Sequence, residues 1–472
     1  MYPIANAHRI NAAGQSLNRI HSYTGHIYNS CSSHAQQKKE EQMAHTVLVI
    51  GSGAREHAIA YTLLKGQTVG KVYCAPGNPG MVADGITVIQ LAQTNHAAII
   101  DFVKDKSIDW VFVGPENPLM EGLVDDLTAA GIKAFGPTRQ AAQIEGSKTF
   151  AKQLMHRHHV PTAKYESFDN LADALAYVKS HGAPIVVKAD GLAAGKGVTV
   201  AMNEDTARAA LTDIFVDNKF GSAGSSVVLE DFLQGQEFSL MSFVNKNHFW
   251  TMPVSQDHKR AYDGDLGPNT GGMGAYSPLP QISNETVQTA INTIVKPTVE
   301  GMNAEGIPFT GILYAGLIAT ADGPQVIEFN ARFGDPETEV VLPRLTSDLG
   351  AGIEAILSDQ EPVFTWEDNQ RTTLGVVLAS DGYPDHSHTG SLVPDLQSAI
   401  NQAGIEESTH IFYAGVKNSA AGELLSSSGR VLLIETTADS LPEAQERLYS
   451  ILDSTHTDGF FYRHDIGAKA LA

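Results

Sequence analysis

From His45 onward the chain alternates short apolar runs with stretches of helical periodicity. HTVLVI (residues 45–50), KVYCA (71–75) and DWVFVG (109–114) read as strands, and residues 57–64 read as a helix between the first two. Strands that are apolar throughout, rather than alternating, are buried on both faces, so the pattern predicts a parallel sheet covered by helices. Ligands bind such sheets at the carboxyl ends of the strands. Three glycine- and proline-rich turns fall there: GSGAREH (51–57), APGNPG (75–80) and GPENPL (114–119).

A second region opens near Gly146. PIVVKADGLAAGKGVTVAM (184–202) reads as two strands joined by a glycine-rich loop, with Lys188 ending the first strand and Lys196 in the loop; SVVLEDFLQGQEFSL (226–240) adds further strand. In a P-loop the lysine is followed by Ser or Thr and leads into a helix. Here Gly197 follows Lys196 and β-branched VTV comes next, so the segment predicts a hairpin lid that lays backbone amides and a lysine over a polyphosphate. Residues 255–278, SQDHKRAYDGDLGPNTGGMGAYSP, are dense in turn formers and predict a long ordered loop, a feature that is usually functional inside a compact domain. Within it, Asp257, His258, Lys259 and Arg260 read equally as an anchor for a zwitterionic substrate and as a solvated charge run. The C-terminal part shows strands at 372–379, 411–416 and 430–437 and a helix at 441–451, with little evident chemistry.

The densest chemistry lies at VIEFN (326–330) followed by RFGDPETE (332–339). In an extended run alternate side chains share a face, so Glu328 and Asn330 point one way while Ile327 and Phe329 point into a core. Two hard oxygen ligands on one rigid edge suit Mg²⁺, which is held by one or two protein oxygens together with substrate phosphates. The first turn, GSG after a strand, invites a dinucleotide reading. The signal for that reading is weak, because Glu56 stands where the third glycine of GxGxxG belongs and no acid ends the second strand. What remains is a short turn whose amides bind one phosphate at a helix N-terminus, with Arg55 supplying charge.

The 472 residues are too many for one core and suggest about three domains. A net charge of −21 argues against nucleic-acid or membrane-surface partners, so anionic ligands must be held by local cations and amides. Cys31 and Cys74 alone cannot form a disulfide framework and favour a reducing compartment. From Met1 to Gln37 there is no acid, only Arg9, Arg19, serines and scattered histidines. This leader fits a plastid or mitochondrial transit peptide or a disordered segment, with cytoplasmic location the default.

These pieces resemble, in order, the phosphoribosylamine–glycine ligases, or glycinamide ribonucleotide synthetases, of the ATP-grasp superfamily. The matching blocks include VLVIGSGAREHA, APGNPG, VGPENPL, FGPT (135–138), EGSK (145–148), VVKADGLAAGKGV, SQDHKR, GPNTGGMGAYSP, YAGL (314–317), IEFNARFGDPETE and YRHDIG (462–467). The resemblance implies an α/β and α+β chain: a leader at 1–43, an N-terminal parallel-sheet α/β domain at 44–146, an ATP-grasp region at 147–360 with a glycine-rich lid at about 165–236, and a small C-terminal α+β domain at 361–472. It implies a monofunctional enzyme, monomeric or weakly dimeric, that joins glycine to 5-phosphoribosylamine with ATP and Mg²⁺ or Mn²⁺, through glycyl phosphate, in the second step of purine synthesis. Another ATP-grasp ligase of the purine pathway is the alternative.

By the same resemblance, Lys148, Lys188, Gly195, Lys196 and Gly197 hold ATP phosphates, Glu230 to Leu233 the adenine and Glu237 the ribose. Glu328 and Asn330 hold the metal. Gly51, Ser52, Gly53, Arg55, Glu56 and Asn78 take the phosphoribosyl group. Asp257, Lys259 and Arg332, with Thr270, Gly271 and Gly272, hold glycine and the acyl phosphate. Many ATP-grasp enzymes carry another acidic metal ligand on the preceding strand, yet residues 311–320 contain none.

Overall fold

The computed structural model describes residues 44–471 apart from 193–196, 218, 220 and 369. The expected leader therefore lies outside the described residues, as do Gly195 and Lys196 of the expected lid. Five parallel strands form the first sheet, in the order Thr87–Val88, Val69–Pro76, His45–Gly51, Trp110–Val113, Lys133–Phe135. Along the central strand Val47 and Val49 pack into one apolar cluster and Leu48 and Ile50 into another, as alternation demands of a strand covered on both faces. All four are fully buried, and each such burial stabilises by about 1.5–3 kcal/mol. The helix Ala54–Lys65 begins earlier than its periodicity suggests, because Glu56 reaches back and accepts the Gly53 amide at 2.8 Å.

An antiparallel sheet in the order Tyr165–Phe168, Val227–Asp231, Ile185–Ala189, Val198–Ala201 carries the glycine-rich segment. Its apolar residues, among them Ala174 and Val178 of the helix Leu171–His181 and Leu211 of Glu204–Phe215, form a cluster separate from the rest of the core. A body with its own core can shift without opening its neighbours.

A second antiparallel sheet runs His248–Thr251, Gln236–Asn245, Thr310–Thr320, Gly323–Asn330. Its last pairing slips between Gly316 and Leu317: Glu328 faces Gly316, Val326 faces Leu317, and Ile327 is left over as a bulge. The expectation that Ile327 points into the core is thereby corrected. Val326 and Phe329 are buried and Ile327 is half-buried, while Glu328 and Asn330 stay in regular register on one face.

The last sheet combines Gln256–Asp257, Gly274–Ser277, Thr372–Ser380, Arg430–Ala438 and Thr409–Tyr413, with Phe460–Phe461 against Thr372–Ser380. Residues 255–278, expected as a loop, are thus largely short strands, since Arg260–Tyr262 and Leu266–Asn269 also pair. Their glycines and prolines hide strands of two to four residues, which carry too few positions to show alternation. This sheet ties the segment after residue 255 to the C-terminal part, across the boundary expected near residue 360. Among the described residues no helix is long and apolar enough to cross a membrane.

Candidate active site

Glu328 and Asn330 end their strand beside a group of cations. Burial opposes ionisation of Glu328, but Lys259, Lys188, Lys148 and Arg332 outweigh it and hold the carboxyl below its ordinary range. No described group hydrogen-bonds this carboxylate, and Gly316 opposite leaves room that a Cβ 3.3 Å from Glu328 Cγ would crowd. An ionised, unengaged carboxylate next to an amide oxygen is a donor set that fits Mg²⁺ or Mn²⁺. Asn330 Oδ1 lies 3.4 Å from Arg332 Nη2.

The lysines converge from three elements. Lys148 opens the helix Lys148–Arg157, capped by Ser147 Oγ, which accepts from the Phe150 amide, and its Nζ donates to the Gly191 carbonyl at 3.1 Å. Lys188 Nζ lies 2.9 Å from Glu230 Oε1 and donates to the carbonyl of the bulged Ile327 at 2.9 Å. Glu230 Oε2 meets Lys152 Nζ at 3.0 Å. Lys152 is absent from the sequence reading, although it stands one turn after Lys148 on the same helix face. The backbone of Ala189 donates to the Gly197 carbonyl at 2.9 Å, closing the base of the lid hairpin. Leu233 is half-buried beyond the strand Val227–Asp231. Glu237 is exposed, with Oε2 3.5 Å from Lys259 Nζ.

Asp257 and Lys259 form a loose pair, Oδ1 to Nζ 4.0 Å. Burial pushes the Asp257 carboxyl up to about 7 against the pull of Lys259, and Glu337, Glu237 and Glu328 add to the push. Asp257 in turn holds the Lys259 ammonium well above its usual range although burial opposes this. Thr270 serves the loop itself: its amide and Oγ1 both donate to the Lys259 carbonyl, at 2.7 and 2.9 Å, and Oγ1 accepts from Gly272. Gly271 is held by the C-terminal part, donating to Tyr383 Oη at 2.9 Å and accepting from Arg430 Nη1 at 3.0 Å. Neither Tyr383 nor Arg430 stood out in sequence, and Arg430 also pairs with Asp335 at 2.7 Å.

Arg332 is engaged by Glu145 at 3.1 Å and Glu116 at 3.5 Å. Both acids lie in the quoted sequence blocks without having been singled out. At the parallel sheet, Arg55 Nε meets Glu56 Oε1 at 2.5 Å and its Nη1 donates to the Phe333 carbonyl at 3.2 Å. Glu56 fills the space beside Gly51 and Gly114, so it shapes the turn instead of lining its mouth. Asn78 is likewise occupied, accepting from Gly80 and donating to the carbonyls of Ser52 and Tyr413. Ser52 is exposed and borders a cleft of about 470 Å³ lined also by Pro76 and residues 90–94.

His57, Asp84 and His410 are the one group of three close ligating side chains among the described residues. His57 Nδ1 accepts the Tyr413 amide at 2.9 Å, so Nε2 carries the proton that it donates to Asp84 at 2.7 Å. A metal there would have to displace that proton from an otherwise neutral ring, and a ligating histidine normally donates through its other nitrogen. The cluster is therefore a clasp between the helix Ala54–Lys65 and the strand Thr409–Tyr413.

Against known proteins, three family models match consecutive parts of the chain: phosphoribosylglycinamide synthetase N domain at 45–145, its ATP-grasp (A) domain at 146–338 and its C domain at 373–469. The phosphoribosylamine–glycine ligase of Streptococcus pneumoniae serotype 4 is 53 % identical over 428 residues, covering 90 % of this chain and 99 % of that protein. The chain belongs to the phosphoribosylglycinamide synthetase family. The ligase of Listeria monocytogenes is also 53 % identical, over 424 residues, with the same coverage. The crystal structure of the Thermotoga maritima phosphoribosylamine–glycine ligase superposes with a TM-score of 0.76 at 30 % identity, covering 89 % of this chain and all of that one. Membership makes this chain an ATP-grasp ligase, in keeping with its parallel N-terminal sheet and antiparallel central sheets.

Proposed function

We propose that this chain joins glycine to 5-phosphoribosylamine with ATP, giving glycinamide ribonucleotide, ADP and phosphate. The observation that carries the reading is the face shared by Glu328, Asn330, Lys148 and Lys188, with the Asp257–Lys259 pair beside it. In the first step a glycine carboxylate oxygen bonds to the γ-phosphorus and the bond to ADP breaks. In the second the amine nitrogen of phosphoribosylamine bonds to the glycyl carbon, phosphate leaves, and the nitrogen loses a proton.

Phosphoryl transfer asks a protein chiefly for position and neutralised charge. Lys148 and Lys188 supply both to the ATP phosphates, with the lid loop through Gly197 closing over them. Closure matters because an acyl phosphate hydrolyses readily unless water is excluded. Glu328 and Asn330 would hold Mg²⁺ or Mn²⁺, which neutralises the transferring phosphates when bound. The strand end from Glu230 to Leu233 faces adenine and Glu237 the ribose. Asp257 takes the glycine ammonium and Lys259 its carboxylate, while Arg332 meets the acyl phosphate. Gly51, Ser52, Gly53 and Arg55 form the phosphoribosyl cradle. Glu56, Asn78, Thr270, Gly271 and Gly272 shape the two turns from behind. We take the active unit to be a monomer or a weak dimer, and the cytosol as its default compartment, with an organelle the alternative should the leader be a transit peptide.

The test is ADP release by the purified protein with ATP, Mg²⁺, glycine and freshly made phosphoribosylamine, omitting each in turn and repeating with Glu328→Ala. Release that requires both cosubstrates and is lost in the variant supports the reading. Release without phosphoribosylamine assigns the chain to another ATP-grasp reaction.

A further inference from the structure

Glu230 is 4 % exposed and lies between two buried ammonium groups that it does not bind alike. Lys152 Nζ, 3.0 Å from Oε2, also donates to Thr162 Oγ1 at 2.7 Å, and Thr162 Oγ1 donates on to the Val326 carbonyl at 2.8 Å. Lys152 is thus tied through Thr162 into the strand Gly323–Asn330. Lys188 lies 2.9 Å from Oε1, yet that oxygen has no aligned hydrogen bond among the described residues. The directed bond of Lys188 goes instead to the Ile327 carbonyl. One lysine is anchored and the other is in charge contact only.

We propose that Lys152 is a positioning residue for nucleotide binding: it holds the charge of Glu230, so that Lys188 can leave that carboxylate for an ATP phosphate. The inference rests on the phosphate-binding role given to Lys188 above. Two cations on one carboxylate leave a surplus positive charge, which an incoming phosphate neutralises. After Lys188 turns to the phosphate, Glu230 and Lys152 remain as a closed neutral pair. Without Lys152 the same movement would strand a buried carboxylate, a costly state in a medium that solvates charge poorly.

The groups facing Lys152 are Glu230, Lys188, the Tyr165 ring 5.7 Å away, and Lys148 one turn earlier on its own helix. Burial pushes the Lys152 ammonium down to about 8 against the pull of Glu230, and Lys188 adds to the push. Raising the pH should therefore discharge Lys152 in the free protein and weaken nucleotide binding by the same route as its removal.

The experiment is calorimetric titration of the full chain with MgATP, which needs neither glycine nor phosphoribosylamine. Lys152→Met should raise Kd by about tenfold or more in the wild-type background, but by less than about threefold in a Lys188→Met background, where no second cation is left to depart from Glu230. An unchanged Kd in Lys152→Met, or the same loss in both backgrounds, overturns the proposal. Should Lys152→Met show no cooperative melting, Lys152→Arg decides: it should bind within about threefold of wild type near pH 7 and flatten the weakening that wild type shows between about pH 7.5 and 9.5. A profile as steep as that of wild type overturns the proposal. Failure of the wild-type protein to bind MgATP at all would sink the functional reading along with it.

Discussion

Glu145 and Arg332 meet at 3.1 Å, although one lies just before the helix Lys148–Arg157 and the other just after the strand Gly323–Asn330. The second oxygen of Glu145 accepts the Ala331 amide at 2.7 Å, so a single carboxylate fixes both the backbone and the guanidinium at the end of that strand. Burial raises the Glu145 carboxyl, and Arg332 is the chief force opposing that rise. Glu145→Gln keeps an acceptor for the amide and removes the charge. We expect kcat to fall by about tenfold or more with the Kd for MgATP changed less than about threefold, as steady-state kinetics and calorimetry would read. Equal losses in both would place Arg332 on ATP instead.

Asp257 sets an expected pH dependence. Its carboxyl, pushed up to about 7 by burial, must be ionised to hold an ammonium group. The ionised form is present above that value and is lost as the pH falls through it. KM for glycine should therefore rise by up to about tenfold per unit below pH 7, while Asp257→Asn should show a high KM with no such slope. A flat profile in the wild-type protein would remove Asp257 from the glycine site.

At Gly51 the backbone has φ +131°, and a Cβ would collide with the Glu56 side chain. Gly51→Ala must strain the backbone and expel Glu56 from the Gly53 amide. The expected cost is about 2 kcal/mol or more in urea unfolding, with weaker phosphoribosylamine binding. A variant of wild-type stability would show that Glu56 has another place to go.

Glu435, buried in the strand Arg430–Ala438, has its carboxyl pushed up to about 8 by burial, against the pull of Lys65. A carboxyl raised in the folded state is protonated there while the unfolded chain has already ionised, so stability is full below the ordinary glutamate range and declines as the pH rises toward 8. Glu435→Gln should melt on the order of 5 °C higher than wild type at pH 8 and equally at pH 4.5. An equal offset at both values would mean that the charge of Glu435 is not the cause.

Sequence by itself determined what repeats along a line. The apolar runs around Val47, Val111 and Val326 specify strands because alternation and burial are local, and the oxygen pair of Glu328 and Asn330 follows from a spacing of two. The matched blocks, in order, identify the family for the same reason, since each needs only its neighbours. Lys152 with Glu230, Arg332 with Glu145 and Arg430 with Gly271 were decided only by the tertiary structure. So was the bulge at Ile327, where the pairing with the strand Thr310–Thr320 slips by one residue. The strands within 255–278 exist because partners from the C-terminal part supply their hydrogen bonds. Charge and hydrogen bonding depend on distance in space, and in a buried site the nearest charge is set by how sheets stack, which no linear spacing records.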